Sequence, residues 1–385
     1  MPAYHQMGHD SENLLLEPGL AAFRGMIVSP VNYSEPDMNA QIAAVRADDG
    51  KADFDVVFDP QLYSPRTERG CLRDWSYFPS DVDTADRSAD VWWQTLVAAI
   101  APAVGGLPVN AICSPAEVPR AYPDAYFAQT IRVGNMLADA VRGTGIRPLQ
   151  TAIVGLAELT TPRRALAVAS AISATKCEGV YLVFVGSTEP RRELAHVEEL
   201  KGAMRLIHAL SREAELPVLV GFTSTDAVLW KAAGASSVAT GKFFNLRRFT
   251  LSRFEEPGGG GGQLPYWVEE ALLAFLRESD ITRVQGRSML SPVHDSNPYS
   301  QRVLKQLAEQ PGKAWVAQGW RQFMHWFADV EGRIENGTVD VRRMLRESEV
   351  NWRDLEDADV LMEEQRNDGM WLRAWRRALA EYMQH

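Results

Sequence analysis

Pro217–Arg248, PVLVGFTSTDAVLWKAAGASSVATGKFFNLRR, is the stretch whose reading decides the fold. Val218–Gly221 is a short apolar run with β-branched residues, the mark of a strand buried on both faces. Thr223, Ser224 and Thr225 offer side-chain oxygens to cap a helix beginning near Asp226. Ala227–Ala233 continues that helix, and Gly234 ends it as a left-handed C-cap. A second strand of small residues, Ser236–Thr240, leads into Gly241, Lys242 and a basic, aromatic loop. Strand, capped helix, glycine and strand make one βαβ unit, because a parallel pairing needs a crossover. A ligand of such a unit belongs at the strand ends, near Thr223, Asp226, Thr240, Lys242 and Asn245.

The same alternation extends upstream. Gly25–Pro30, Asp55–Phe58, Val109–Cys113, Gln150–Gly155 and Gly179–Val185 read as buried strands. Between them lie helical patterns at Asp37–Arg46, Trp92–Ala103, Tyr122–Val141 and Arg163–Thr175, the last with Thr161 as cap and Pro162 at the first position. After the fifth strand, Ser187 or Thr188 caps a helix whose Leu194, Val197, Leu200, Met204, Ile207 and Leu210 recur every three or four positions. Seven β-then-α units predict an α/β fold, a (β/α)8 TIM barrel. The eighth strand is expected within residues 250–286, at Thr250–Phe254 or Ile281–Val284, with Glu269–Glu278 as a helix. The five glycines Gly258–Gly262 have too much backbone freedom for regular structure and read as a loop or hinge. Residues 64–90 are too long for a simple connection and are expected to cover a site.

Past Ser291 the texture changes to helical patterns crowded with tryptophan, so the chain divides into a barrel at 1–289 and a mainly helical appendage at 290–385. Trp315, Trp320, Trp326, Trp352, Trp371 and Trp375 read as core before they read as a stacking platform. Val360–Trp375 fits either a hairpin about Asn367-Asp368-Gly369 or two helices meeting at that turn.

The 385 residues carry a formal net charge of -10, which argues against coating nucleic acid by bulk electrostatics but leaves room for a local basic groove. Cys71, Cys113 and Cys177 are far apart, so neither a disulfide framework nor a zinc knuckle is expected. His5 and His9 would share a helical face, yet Gly8 between them favours a plain polar terminus, and no metal or cofactor is expected. The polar N-terminus and the lack of an apolar run of membrane-spanning length predict a cytoplasmic protein without a membrane partner.

Candidate chemistry follows from the strand ends. Asp59 and Glu158 are the candidate acid–base carboxylates, the rival reading being loop caps or arginine partners. Pro60 stiffens the loop after Asp59, and Gln61 and Tyr63 add an amide and a flat ring on the same side. Ser114, Glu189, Asp226, Thr240, Lys242 and Asn245 complete the expected substrate contacts. The pairs Arg191, Arg192 and Arg247, Arg248 suit phosphate, beside the capped helix start at Ser224 and Thr225; solvated surface charge is the rival.

Across Gly25–Arg248 the layout resembles the tRNA-guanine transglycosylase superfamily. Ala152–Gly155, AIVG, is similar to that family's I-V-Q-G strand end, and Tyr181–Leu194 to its strand, loop and charged helix with G-E-P. Leu219–Ala235 resembles its G-x-x-x-P-E-D helix, Asn245 and Arg247 its asparagine-arginine tail, and Asp59 with Gln61 its D-S-G-G-[FY]-Q loop. The resemblance implies a barrel that binds a guanine or 7-deazaguanine base, free or in DNA or RNA, and cleaves or exchanges an N-glycosidic bond. One departure counts against catalysis, since Ser237–Gly241 holds no carboxylate where the family's nucleophile stands; another, the absence of the zinc-binding cysteines, removes the family's structural zinc. The alternatives are a non-catalytic recognition subunit with protein partners on the C-terminal domain, or an unrelated barrel enzyme acting on a phosphorylated small molecule.

Overall fold

Eight short parallel strands close on themselves in the computed structural model, which describes residues 3–8, 11, 13–64, 70–254, 264–364 and 367–384. They are β1 Tyr4–Gln6, β2 Gly25–Val28, β3 Asp55–Phe58, β4 Ala111–Cys113, β5 Arg147–Gly155, β6 Gly179–Val185, β7 Val218–Val220 and β8 Ser237–Thr240. Each pairs with the next, and β1 closes the ring by pairing with β8 at Tyr4↔Ala239 and with β2 at Tyr4↔Gly25. The fold is a TIM barrel with a helical C-terminal part, and the Val, Ile and Leu side chains of its strands are buried, as a sheet covered on both faces demands.

The missing strand is therefore at the N-terminus and not within 250–286. Leu251–Phe254 is a 3-10 turn, and Ile281–Val284 lies in the helix Glu278–Gly286. Three residues with two polar side chains, His5 and Gln6, make no apolar run, and only closure of the barrel defines them as a strand. Glu269–Glu278 is likewise no helix. Trp267–Glu269 (β9) and Ala274–Leu276 (β10) form an antiparallel hairpin, turned through Leu273 at φ +48°. Its helix-forming composition is overridden by docking: Gln322 exchanges two 2.9 Å hydrogen bonds with the Val268 backbone, and Trp352 donates to the Leu272 carbonyl.

The helix after β6 begins later than its periodicity suggests, at Val197, where the His196 ring accepts from the Glu199 amide. Residues 187–196 are irregular because Leu194 is drawn inward, its carbonyl accepting a 2.6 Å hydrogen bond from the Trp375 indole. That helix, Val197–His208, rides directly on the turn Leu156–Leu159, and a Cβ on Gly202 would stand 1.8 Å from the Leu159 carbonyl oxygen. Gly202→Ala, which gains about 1 kcal/mol in an open helix, is expected here to lose about 1–3 kcal/mol by overpacking against backbone. A lowered urea midpoint with unchanged slope checks this.

Beyond the hairpin the chain is helical: Pro298–Glu309, Val316–Glu335, Val341–Asp357 and Met370–Tyr382. The C-terminal turn thus joins two helices and is not a wing. Trp315, Trp326, Trp352, Trp371 and Trp375 are buried, as core residues, whereas Trp320 is half-buried. Among the described residues no helix is long and apolar enough to cross a membrane.

Candidate functional site at the barrel mouth

The side chains expected to share one site fall into four places. The first is Asp59, just past β3. Its carboxylate accepts from the Gln61 amide (3.1 Å), from Gln61 Nε2 (3.2 Å) and from the Tyr63 hydroxyl (2.9 Å). Gln61 reaches back through a left-handed backbone, φ +48°, so the three residues converge by a tight side-chain-closed turn and not by an extended loop. Tyr63 is roofed by Phe249 and Phe254, edge-on at 5.4 and 5.9 Å, and Phe222 packs on Phe249. Asp59 is 1% exposed. Burial pushes its carboxyl up to about 6, against the pull of Tyr63, Gln61 and the nearby Arg253. Asp59, Gln61 and Tyr63 do come together, but on one another and under a roof, so no ligand touches Asp59 unless those rings move.

The second place is a buried cluster that the sequence conceals. Arg248, after β8, points its Nη2 at Glu193 (3.6 Å) and Asp226 (3.7 Å), all three nearly inaccessible. Thr225 donates to Glu193 at 2.7 Å and the Ser224 amide to Asp226 at 2.8 Å. Burial pushes the Glu193 carboxyl up to about 7 and raises Asp226 as well. The helix start after β7 therefore does attract anions, but they are the chain's own. Arg248 is not the expected phosphate ligand, because two carboxylates already face its guanidinium. Glu193 escaped the sequence reading since it sits in a charged run, Glu189–Glu193, that looks like a solvated helix face.

Glu158 is in the third place, on the surface beyond β5, paired with Arg164 at 3.5 Å and 38% exposed. Nothing in its surroundings links it to Asp59, so the two carboxylates do not flank a common bond, and its role is the arginine partner. Ser114 and Thr240 also leave the site: Ser114 Oγ accepts from the Thr151 amide at 2.9 Å, and Thr240 donates to the Thr223 carbonyl at 2.6 Å, both inside the strand ring. His5 lies in β1 with Nδ1 3.3 Å from the Thr240 carbonyl, and burial lowers its ring to about 3, while His9 lies outside the described residues.

The fourth place is an open cavity of about 530 Å³ between the barrel mouth and the helical part. Glu189, Arg191, Lys242, Asn245 and Arg247, five of the expected site residues, line it together with Phe243, Phe244, Tyr266 and Trp320. Arg191 lies 5.9 Å from the Phe244 ring centre and 6.0 Å from that of Tyr266. Lys242 Nζ lies 4.7 Å from the Phe243 ring and 5.1 Å from that of Trp320. The Asn245 carbonyl oxygen is a buried acceptor with no partner among the described residues. Arg247 forms a wall: its guanidinium stacks 3.7 Å from the Phe323 centroid and donates to the Gly241 and Lys242 carbonyls, and burial pulls it down to about 9. It fixes the loop that presents Lys242, with Nε and Nη2 both bonded to that loop's backbone. Arg192 pairs with Glu189 at 3.4 Å on the exposed rim.

No family model matches the chain, and no curated protein matches it. Among solved structures it is similar to one titled as an L-ribulose 3-epimerase, at 13% identity, covering 81% of this chain and 99% of that one, with a TM-score of 0.36.

Proposed function

We propose that the barrel binds an anionic ligand carrying a flat ring, of the nucleotide class, in the mouth cavity. The observation that supports this is the composition of the cavity wall. Two cations, Arg191 and Lys242, stand beside a fan of rings, Phe244, Tyr266 and Trp320, and Asn245, whose side-chain oxygen has no partner among the described residues, lines the same cavity. Guanidinium and ammonium groups hold phosphate by charge-assisted hydrogen bonds, and the rings offer faces for a base. Glu189 on the same wall suits the exocyclic amine of a guanine-type base. Calorimetric titration with GMP, guanosine and inorganic phosphate tests the reading. GMP is expected to bind, and Lys242→Ala to weaken it about 10- to 100-fold, the loss of one charge-assisted contact. Failure of every purine nucleotide to bind overturns it.

Base exchange at an N-glycosidic bond is a second reading, favoured by one observation: the Asp59 and Glu193 carboxyls, both beyond the C-terminal ends of barrel strands, are raised toward neutrality and suited to hold a proton. Incorporation of labelled guanine into tRNA or DNA, lost in Asp59→Asn, is its test.

A further inference from the structure

The helices Val341–Asp357 and Met370–Tyr382 run antiparallel, with Trp352 against Trp371 and Arg376 bonded to Glu349, and leave a groove of about 570 Å³ between them. Five arginines line it, Arg342, Arg346, Arg373, Arg376 and Arg377, against a single acid, Glu349. In a chain of net charge -10 this is a local reversal of sign. Two of the five are neutralised, Arg376 by Glu349 and Arg377 by Glu381, as is Arg343, outside the groove, by Glu347. Arg342, Arg346 and Arg373 have no side-chain hydrogen bond or ion pair among the described residues. Arg342 and Arg346 stand four apart, so the first helix carries a repulsive like-charge pair, and Arg373 lines the same groove from the second. These three guanidiniums line one groove, Arg342 and Arg346 standing about 6 Å apart along their helix.

We propose that this groove binds the phosphate backbone of a nucleic acid without reading its sequence. Planar guanidiniums pair with phosphate by two parallel hydrogen bonds, and a bound polyanion relieves the repulsion that the bare first helix carries. Among the described residues no aromatic ring lines the groove, so bases have nothing to stack on and contact is confined to the backbone. The site is separate from the mouth cavity and stands whether or not that cavity takes a nucleotide.

Fluorescence anisotropy of the full-length protein with labelled mixed-sequence single- and double-stranded oligonucleotides of about 20 nucleotides, between about 50 and 200 mM salt, tests it. The expected result is salt-sensitive binding, indifferent to sequence. The variant R342Q/R346Q/R373Q should weaken it at least tenfold and flatten the slope of log K against log salt by about 2–3, one increment per lost phosphate contact. Arg343→Gln, whose side chain is exposed and already paired, should leave it unchanged. A circular dichroism melt shows whether the triple variant is folded, and Arg373→Glu, a single exposed reversal, carries the test if it is not. No binding at the lowest salt, binding unaltered in folded triple variant and Arg373→Glu alike, or equal binding of a polyglutamate peptide, the mark of an acidic protein partner, overturns the proposal.

Discussion

Lys231→Met is expected to destabilise the protein by about 3–5 kcal/mol, the cost of stranding a buried partner charge. Lys231 is on the short helix Ala227–Ala232 that follows β7, and its ammonium is 3% exposed. It lies 2.8 Å from Glu331 and 2.7 Å from Glu335, one turn apart on the helix Val316–Glu335, and donates to the Ser236 carbonyl at 3.1 Å. One side chain thereby joins the barrel to the helical part. Methionine keeps the volume but leaves Glu331, itself 4% exposed, without its cation. Because that glutamate's carboxyl is already raised by burial, the variant is expected to recover stability as pH falls and Glu331 takes up a proton. The double change Lys231→Met with Glu331→Leu removes both charges and should restore most of the loss, since apolar replacement of a buried pair is close to neutral. Urea unfolding of the three proteins measures this. A single variant as stable as the parent would show that the pair contributes nothing.

Most of the barrel was legible because a strand buried on both faces leaves a local signature. Asp55–Phe58 and Gly179–Val185 are found where the sequence puts them, and the other five recognised strands differ from the reading by one to three residues at an end. What escaped was fixed by contacts distant in the chain. β1 is a strand only because residues 25–28 and 237–240 flank it, and the β9–β10 hairpin only because Gln322 and Trp352 hold it. The site was legible in kind more than in grouping. Loop residues 189–191 and 242–247 do meet in one cavity, since both follow strand C-termini on one side of the barrel. Asp59 and Arg248 look from the sequence like free functional groups. Each is instead enclosed by partners, Tyr63 and Gln61 in one case and Glu193 and Asp226 in the other, that only the folded mouth brings near.

That enclosure makes Asp59→Asn an unusual substitution, expected to stabilise the protein at neutral pH. Burial raises the Asp59 carboxyl from 3.8 to about 6 in the folded state, so folding favours its protonated form. The sign follows from linkage. Well below pH 3.8 the group is protonated folded or unfolded and costs nothing. As pH rises from about 4 to 6 the unfolded chain ionises first, and stability is lost until the folded carboxyl has ionised too. At pH 7 the accumulated penalty is about 3 kcal/mol. The amide carries no charge to bury. Its new N–H group also has a partner at hand, for the Gln61 side-chain oxygen is a buried acceptor with none among the described residues, and a flip of the Gln61 amide brings the complementary groups face to face. Glu193 and Asp226 are raised in the same sense and shift both proteins together. The readout is therefore the difference in unfolding free energy between variant and parent, measured at pH 4 and pH 7. It should rise by about 2–3 kcal/mol in favour of the variant. A difference that stays flat across that interval would mean that the folded carboxylate is no harder to ionise than a solvated one. Nucleotide titration of the same variant then separates two roles. Loss of binding in a protein that has become more stable would mark Asp59 as a ligand contact whose buried charge the fold tolerates at a cost in stability. Unchanged binding would leave it a strut beneath Tyr63.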